Sequence, residues 1–205
     1  MGRPTYHHGD LRRVLAETAF DLVRGGGPDA VTVREVARRA EVSPAAFYRH
    51  FADRDALLAE VARVARGDLA SRMLDEVGRV GRGSGRSGSI ARFLALGRGY
   101  LAFAHDQPDL LATAFLPLEQ AADVVEDPNP WQLLAAALDE LVAVGAMPKA
   151  RRPGAEILAW SAVHGFATLR ANRSFEVSGE PNPDAEALLL AIARSLDLRS
   201  TTRTR

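Results

Sequence analysis

The chain has 205 residues, 47% of them hydrophobic, with 26 basic against 26 acidic side chains, no cysteine and five histidines. That is apolar material for one sizeable domain or two small ones, and it excludes disulfides and thiolate metal sites, in keeping with a reducing, cytoplasmic setting. No stretch approaches a membrane span, Asp10, Arg12 and Arg13 break any signal-peptide pattern, and zero net charge means that a nucleic-acid contact must rest on charge distribution.

Residues 1–9 lack periodicity and contain Gly2, Pro4 and Gly9, so a mobile arm is expected there. Its Arg3, Tyr6, His7 and His8 can reach a groove or a phosphate, or simply fray. No third ligand stands near the histidine pair, so neither a metal nor any other cofactor is expected. Asp10 is placed to cap a first helix with Leu11, Val14, Leu15, Thr18 and Leu22 inward, and Gly25-Gly26-Gly27-Pro28 stops it.

Residues 31–54 read as helix, tight turn, helix. Thr32 with Glu35 gives a capping-box pattern. Val33, Val36, Ala37 and Ala40 recur on one buried face, which leaves Arg34 and Arg38 outward. Ser43 is a second N-cap with Pro44 at the first helical position, and Ala45 and Ala46 let that helix tip approach a phosphate or base edge closely. Phe47 and Phe51, four apart, anchor the short helix, while Tyr48, Arg49 and His50 offer the donors used on phosphates and base edges. Arg34, Arg38, Arg39, Arg49 and Arg54 stand against Glu35, Glu41 and Asp53, a modest basic excess that a dimer would double.

Asp53 caps a long helix whose buried side is marked by Leu57, Leu58, Val61, Val64, Ala65 and Leu69; running to Val80, it spans about 40 Å. Residues 81–89 (GRGSGRSGS) read as a flexible loop. Helices are then expected over 89–105, 108–115, 130–144, 153–171 and 183–196, with Pro or Gly at each junction. No alternating strand pattern occurs, so the fold class is all-α; the tail from 199 is basic and expected to be disordered.

The run TVREVARRAEVSPAAFYRHFADRDALL resembles the N-terminal signature of TetR-family transcriptional regulators, a likeness that covers about residues 10–58, with cap, turn, aromatic pair and following helix in register. The opening GRPTYHHGDLR is similar to one branch of that family, whose C-terminal domain carries a Trp-x-x-x-His-Gly run matched here by Trp160, His164 and Gly165. Glu41 departs from the family's usual turn glycine, Phe47 from a proline frequent in this branch, and Arg54 stands where a backbone-contacting lysine is usual. The resemblance implies a three-helix helix-turn-helix DNA-binding domain at 10–52 and a helical ligand-binding and dimerisation bundle at 53–198, between an arm (1–9) and a tail (199–205). It implies a repressor that binds a palindromic operator in double-stranded DNA as a homodimer and is released by a small apolar effector. On that reading Thr32, Arg34, Ser43, Tyr48, His50 and Arg54 meet the DNA backbone, Ala45 and Ala46 the base edges, and Pro44 and Arg49 belong to the same surface.

The second domain carries most of the aromatic residues. Phe93, Leu96, Tyr100, Phe103, Phe115, Trp131, Leu134, Trp160 and His164 are candidate walls of an apolar cavity, although aromatic side chains on helices are more often core. His164 reads first as a core histidine with a satisfied hydrogen bond, and second as a polar handle for a ligand or an interface. Gly165, within a helix, suggests close approach of another helix or a ligand. His105 and Asp106 end a helix and need no catalytic role. Ala155, Leu158, Ala159, Ala162 and Phe166 form one candidate dimer stripe, and Leu188, Leu189, Ile192 and Leu196 another; in a symmetric dimer the two recognition helices must enter grooves about 34–36 Å apart. An enzyme would need a nucleophile–base set, a phosphate-cradling glycine motif or metal-ligand spacing, and none is present. A helical protein-interaction module and an orphan regulator without an effector are the alternatives.

Overall fold

Polar caps set where several helices begin. In the computed structural model, which describes residues 8–81, 83–118, 129–177 and 184–200, Thr32 Oγ1 accepts the Glu35 N–H at 3.1 Å and Ser43 Oγ the Ala46 N–H at 3.2 Å. Asp53 Oδ1 accepts the Ala56 N–H at 2.7 Å, and Asn129 Oδ1 the Trp131 N–H at 2.8 Å. Each bond satisfies a donor that the first helical turn would leave open. The helices are α1 (His8–Gly26), α2 (Val33–Arg39), α3 (Pro44–Phe47), α4 (Arg54–Arg79), α5 (Gly85–Asp106), α6 (Pro108–Ala114), α7 (Pro130–Ala143), α8 (Ala155–Ala171), α9 (Ser174–Val177) and α10 (Ala185–Ser195), with 3-10 turns at Pro28–Ala30 and Lys149–Arg151. Among the described residues there is no strand, and no helix is long and apolar enough to cross a membrane.

The chain forms two compact units. Among the described residues the first comprises 8–66 with 109–118, and the second 67–108 with 129–177 and 184–200. The expected boundary at 52/53 is therefore displaced into α4, because Leu57, Leu58, Val61, Ala62 and Ala65 are buried in the first core beside Leu15, Val23, Val36, Phe47 and Phe51. In the second unit α5 is central, packing on α7, α8 and α10 through Phe93, Leu96, Leu138, Ala159, Val163, Leu189 and Ile192.

Three expectations about boundaries are corrected. The first helix already runs from His8, so Asp10 lies inside it rather than capping it. Residues 85–89 are helical, not loop: α5 starts four residues before Ser89, whose buried hydroxyl lies 2.8 Å from Glu140 Oε1. A short α9 follows α8, where no element was expected. The arm residues Arg3, Tyr6 and His7, the junctions at Asp127-Pro128 and Gly179 to Pro183, and the tail beyond Ser200 lie outside the described residues.

Candidate functional site

A buried aromatic pair and two arginines that reach across the chain hold the helix-turn-helix in the first unit. Phe47 and Phe51 are buried, with ring centroids 5.8 Å apart, and so fix the inward side of α3 and the turn after it. Arg12 of α1 stacks its guanidinium 4.3 Å above the Phe51 ring and donates to the His50 carbonyl at 2.6 Å. Arg54 donates from Nε to the Val31 carbonyl and from its second nitrogen to the Pro28 carbonyl, both at 2.7 Å. Its fork thus ties α4 to the start of the motif, a positioning part that differs from the free phosphate contact expected of it.

Between α2 and α3 the chain reverses through a tight cap. The Val42 N–H bonds the Ala37 carbonyl at 2.9 Å and the Glu41 N–H the Arg38 carbonyl at 3.3 Å, with Glu41 at φ 55°. This is the paired-bond helix terminus that glycine usually completes. Glu35 departs from the reciprocal capping box: its carboxylate is taken by Arg38 and Arg39, which hold its pKa down to about 2. Arg34 and Arg49, exposed and in no ion pair among the described residues, remain as cations open to a phosphate. Thr32, Ser43, Pro44, Ala45 and Tyr48 are exposed with them, Tyr48 to 57%, while Ala46 and His50 are half-buried.

The second unit holds a partly open apolar cavity of about 40 Å3. Phe93, Leu96, Tyr100, Leu134 and Trp160, five of the nine expected wall residues, line it. Of the other four, Phe103 is buried elsewhere in the second unit, and Phe115 belongs to the first unit. Trp131 is exposed and not a wall residue, but its ring packs on that of Trp160, 5.4 Å between centroids. His164 stands behind the wall, its Nδ1 2.7 Å from the Tyr100 hydroxyl. Burial pushes the Tyr100 pKa up and the His164 pKa down, so both groups stay neutral and a neutral imidazole can accept the phenolic hydrogen.

Met73, Gly97 and Val163 also line the cavity, together with Ala159, Leu189 and Ile192, which the sequence pattern had assigned to dimer contacts. Met73 was findable as the next turn of the Leu69 stripe on α4. Gly97 carries no pattern at all. A Cβ built there would lie 2.4 Å from Leu189 Cδ2, and one built at Gly99 would lie 2.5 Å from the Met73 Cα. The two glycines therefore let α10 and α4 close on α5.

The dimer stripes are corrected as well. Ala155, Ala159, Phe166, Leu189, Ile192 and Leu196 are buried within their own chain, and Ala162 and Leu188 are half-buried. Only Leu158 of the two stripes is exposed, and it shares its helix with exposed Ile157 and Leu169. α8 is apolar on both sides, so spacing alone could not say which side its own bundle covers. Among the described residues Gly165 meets nothing within 4 Å, so the close approach inferred for it is not made there.

A family model described as "Bacterial regulatory proteins, tetR family" matches residues 15–61, and one described as "Tetracyclin repressor-like, C-terminal domain" matches 93–196. No match was found among curated proteins. The structure of a protein of unknown function from Rhodococcus sp. RHA1 is 28% identical with a TM-score of 0.72, over 95% of this chain and 97% of that one. The transcriptional regulator SCO7222, a TetR from Streptomyces coelicolor, shares the fold at 16% identity and a TM-score of 0.62, over 90% and 95% of the chains. A TetR family transcription regulator from Marinobacter aquaeolei VT8 does so at 18% and 0.55, over 93% and 97%. With its helix-turn-helix and its C-terminal bundle both matched, the chain belongs to the TetR family of bacterial regulatory proteins, DNA-binding transcription regulators and not enzymes.

Proposed function

We propose that the protein is a cytoplasmic repressor that binds a palindromic operator as a two-fold dimer and releases it when a small apolar effector enters the cavity. The observation that carries DNA binding is the short α3: its Phe47 side is locked into the core, while Ser43, Ala45, Tyr48 and Arg49 at and beside it are exposed among the described residues. Thr32, Arg34 and Ser43 suit phosphates, Ala45 and Ala46 suit base edges, and Tyr48, Arg49 and His50 extend the same surface.

Support for an effector lies in the walls of the cavity. They offer almost no polar surface, since the Tyr100 hydroxyl is already engaged by His164, so an uncharged apolar molecule is favoured. About 40 Å3 holds roughly three waters, so a larger occupant must displace a wall or extend through the open side. One wall is Met73 on α4, the helix whose first residues belong to the DNA-reading unit. An effector that binds only the displaced arrangement would shift the equilibrium by about 1–3 kcal/mol, a roughly five- to 150-fold loss of operator affinity.

Support for the dimer lies in the outward side of α8, where Ile157 (65% exposed), Leu158 and Leu169 surround Ser161 and Gly165, with Leu190 exposed on α10. Gly165 is then a point of close approach between copies. Selection of duplexes from a random pool, followed by gel shift at several salt concentrations, tests the reading. The expected outcome is enrichment of an inverted repeat bound with steep salt dependence; retention of no duplex at low ionic strength would leave only a helical interaction protein.

A further inference from the structure

A second, larger cavity of about 80 Å3 opens between the last turns of α5 and α8. Its floor is apolar and buried, made by Leu101, Ala104, Phe166 and Ala167, and Phe166 is backed by Phe175 at 5.7 Å between centroids. Its mouth is not apolar. Arg170 and His105 stand there, and Arg170 is half-buried.

No acidic side chain among the described residues pairs with the arginine at this mouth. Among the described residues Arg170 makes no ion pair, whereas other arginines of the same unit are matched: Arg72 with Asp106 at 3.2 Å, Arg98 with Glu186 at 2.6 Å, Arg152 with Glu156 at 2.6 Å and Arg173 with Glu176 at 2.6 Å. Asp106 and Glu176, the acids closest to Arg170 and His105 along α5 and in α9, are thus already committed to other cations. A guanidinium fork above a closed hydrocarbon floor matches a planar carboxylate joined to a short apolar tail. A dianionic phosphate fits less well, because α5 and α8 both turn the negative ends of their dipoles toward this region. The apolar first cavity has no such cation in its walls.

We propose that this second cavity is a separate binding site for a small monocarboxylate with a short aliphatic tail, the carboxylate held by Arg170 with His105 beside it. Calorimetric titration of the full chain with hexanoate, hexanol and inorganic phosphate tests the assignment. Hexanoate is expected to bind, with hexanol and phosphate at least tenfold weaker. Arg170→Gln should weaken hexanoate at least tenfold and Arg170→Lys by less, while Phe93→Ala, in the other cavity, should leave it unchanged. Equal affinity for hexanol, or hexanoate binding lost with Phe93→Ala but kept in Arg170→Gln, would overturn the proposal. So would a parent protein that takes no hexanoate while Arg170→Gln runs as a smaller species in light scattering, which would assign Arg170 to a contact between copies. DNA binding is measured separately, so neither result bears on the regulator reading.

Discussion

Glu41 is the clearest case of one residue resisting its position. Its φ of 55° places a side chain in the left-handed region, in the one turn that sets the angle between α2 and α3. Glu41→Gly keeps the two terminal hydrogen bonds and removes the strain, so it should stabilise the first unit by about 0.5–1 kcal/mol, seen as a rise of roughly 2–4 °C in Tm. It also removes an acid next to the reading helix, so duplex binding at low salt should strengthen; an unchanged melt would refute the strain argument. His164 gives a second prediction, by linkage. Its pKa is lowered in the folded chain, so the unfolded chain takes up a proton first as pH falls below about 6.5, and stability declines from there until the folded imidazole itself titrates. Melts between pH 8 and pH 5 should show this loss, and His164→Gln should flatten it; equal slopes for the two proteins would remove His164 from the account. At this scale the caps at Thr32, Ser43 and Asp53 were legible, because each is a bond between residues three apart. The Arg12 clamp on His50 was not, since it joins residues 38 apart and no local pattern encodes it.

Elements were readable wherever one face is apolar and punctuation is strong, and unreadable where a helix is apolar all round. α8 belongs to the second kind: its periodicity predicted burial without saying against what, which is why Ala159 moved from a dimer stripe to the cavity wall, while Leu189 and Ile192 moved because the apolar side of α10 packs on α5 within its own bundle. Two glycines on α5 turn that packing into a paired prediction. At Gly99 a methyl group would meet the backbone of α4, which cannot yield, so Gly99→Ala should destabilise the second unit by about 1–3 kcal/mol. At Gly97 the methyl meets the flexible end of Leu189, which can swing toward the cavity it already lines. Gly97→Ala should therefore keep Tm within about 2 °C of the parent while weakening any apolar effector, because part of the 40 Å3 is filled. Thermal melts of the two variants decide it: equal and large losses would mean that α10 is as unyielding as α4.

For the whole molecule the balance of charge sets how DNA can be held. The number of uncommitted cations in the helix-turn-helix falls once Arg38 and Arg39 are assigned to Glu35 and Arg54 to the Val31 and Pro28 carbonyls, leaving Arg34 and Arg49 in each copy. Two such cations per reading head give four in a dimer, and at about 0.9 per phosphate the plot of log affinity against log salt should have a slope of at least about −3.6. Arg34→Ala removes one contact from each copy, so the slope should flatten by about 1.8 while sequence preference is kept. Tyr48→Ala should weaken all duplexes alike without changing the slope, because an uncharged hydroxyl releases no counterion, whereas Ala45→Ser should alter which bases are preferred. These effects double only in a symmetric pair. Light scattering on Leu158→Glu, which places a charge in the exposed apolar side of α8, should show a monomer, and its salt slope should fall to about half that of the parent. A variant that stays dimeric would move the interface away from α8, and one that dissociates yet keeps the full slope would show that a single copy makes all the phosphate contacts.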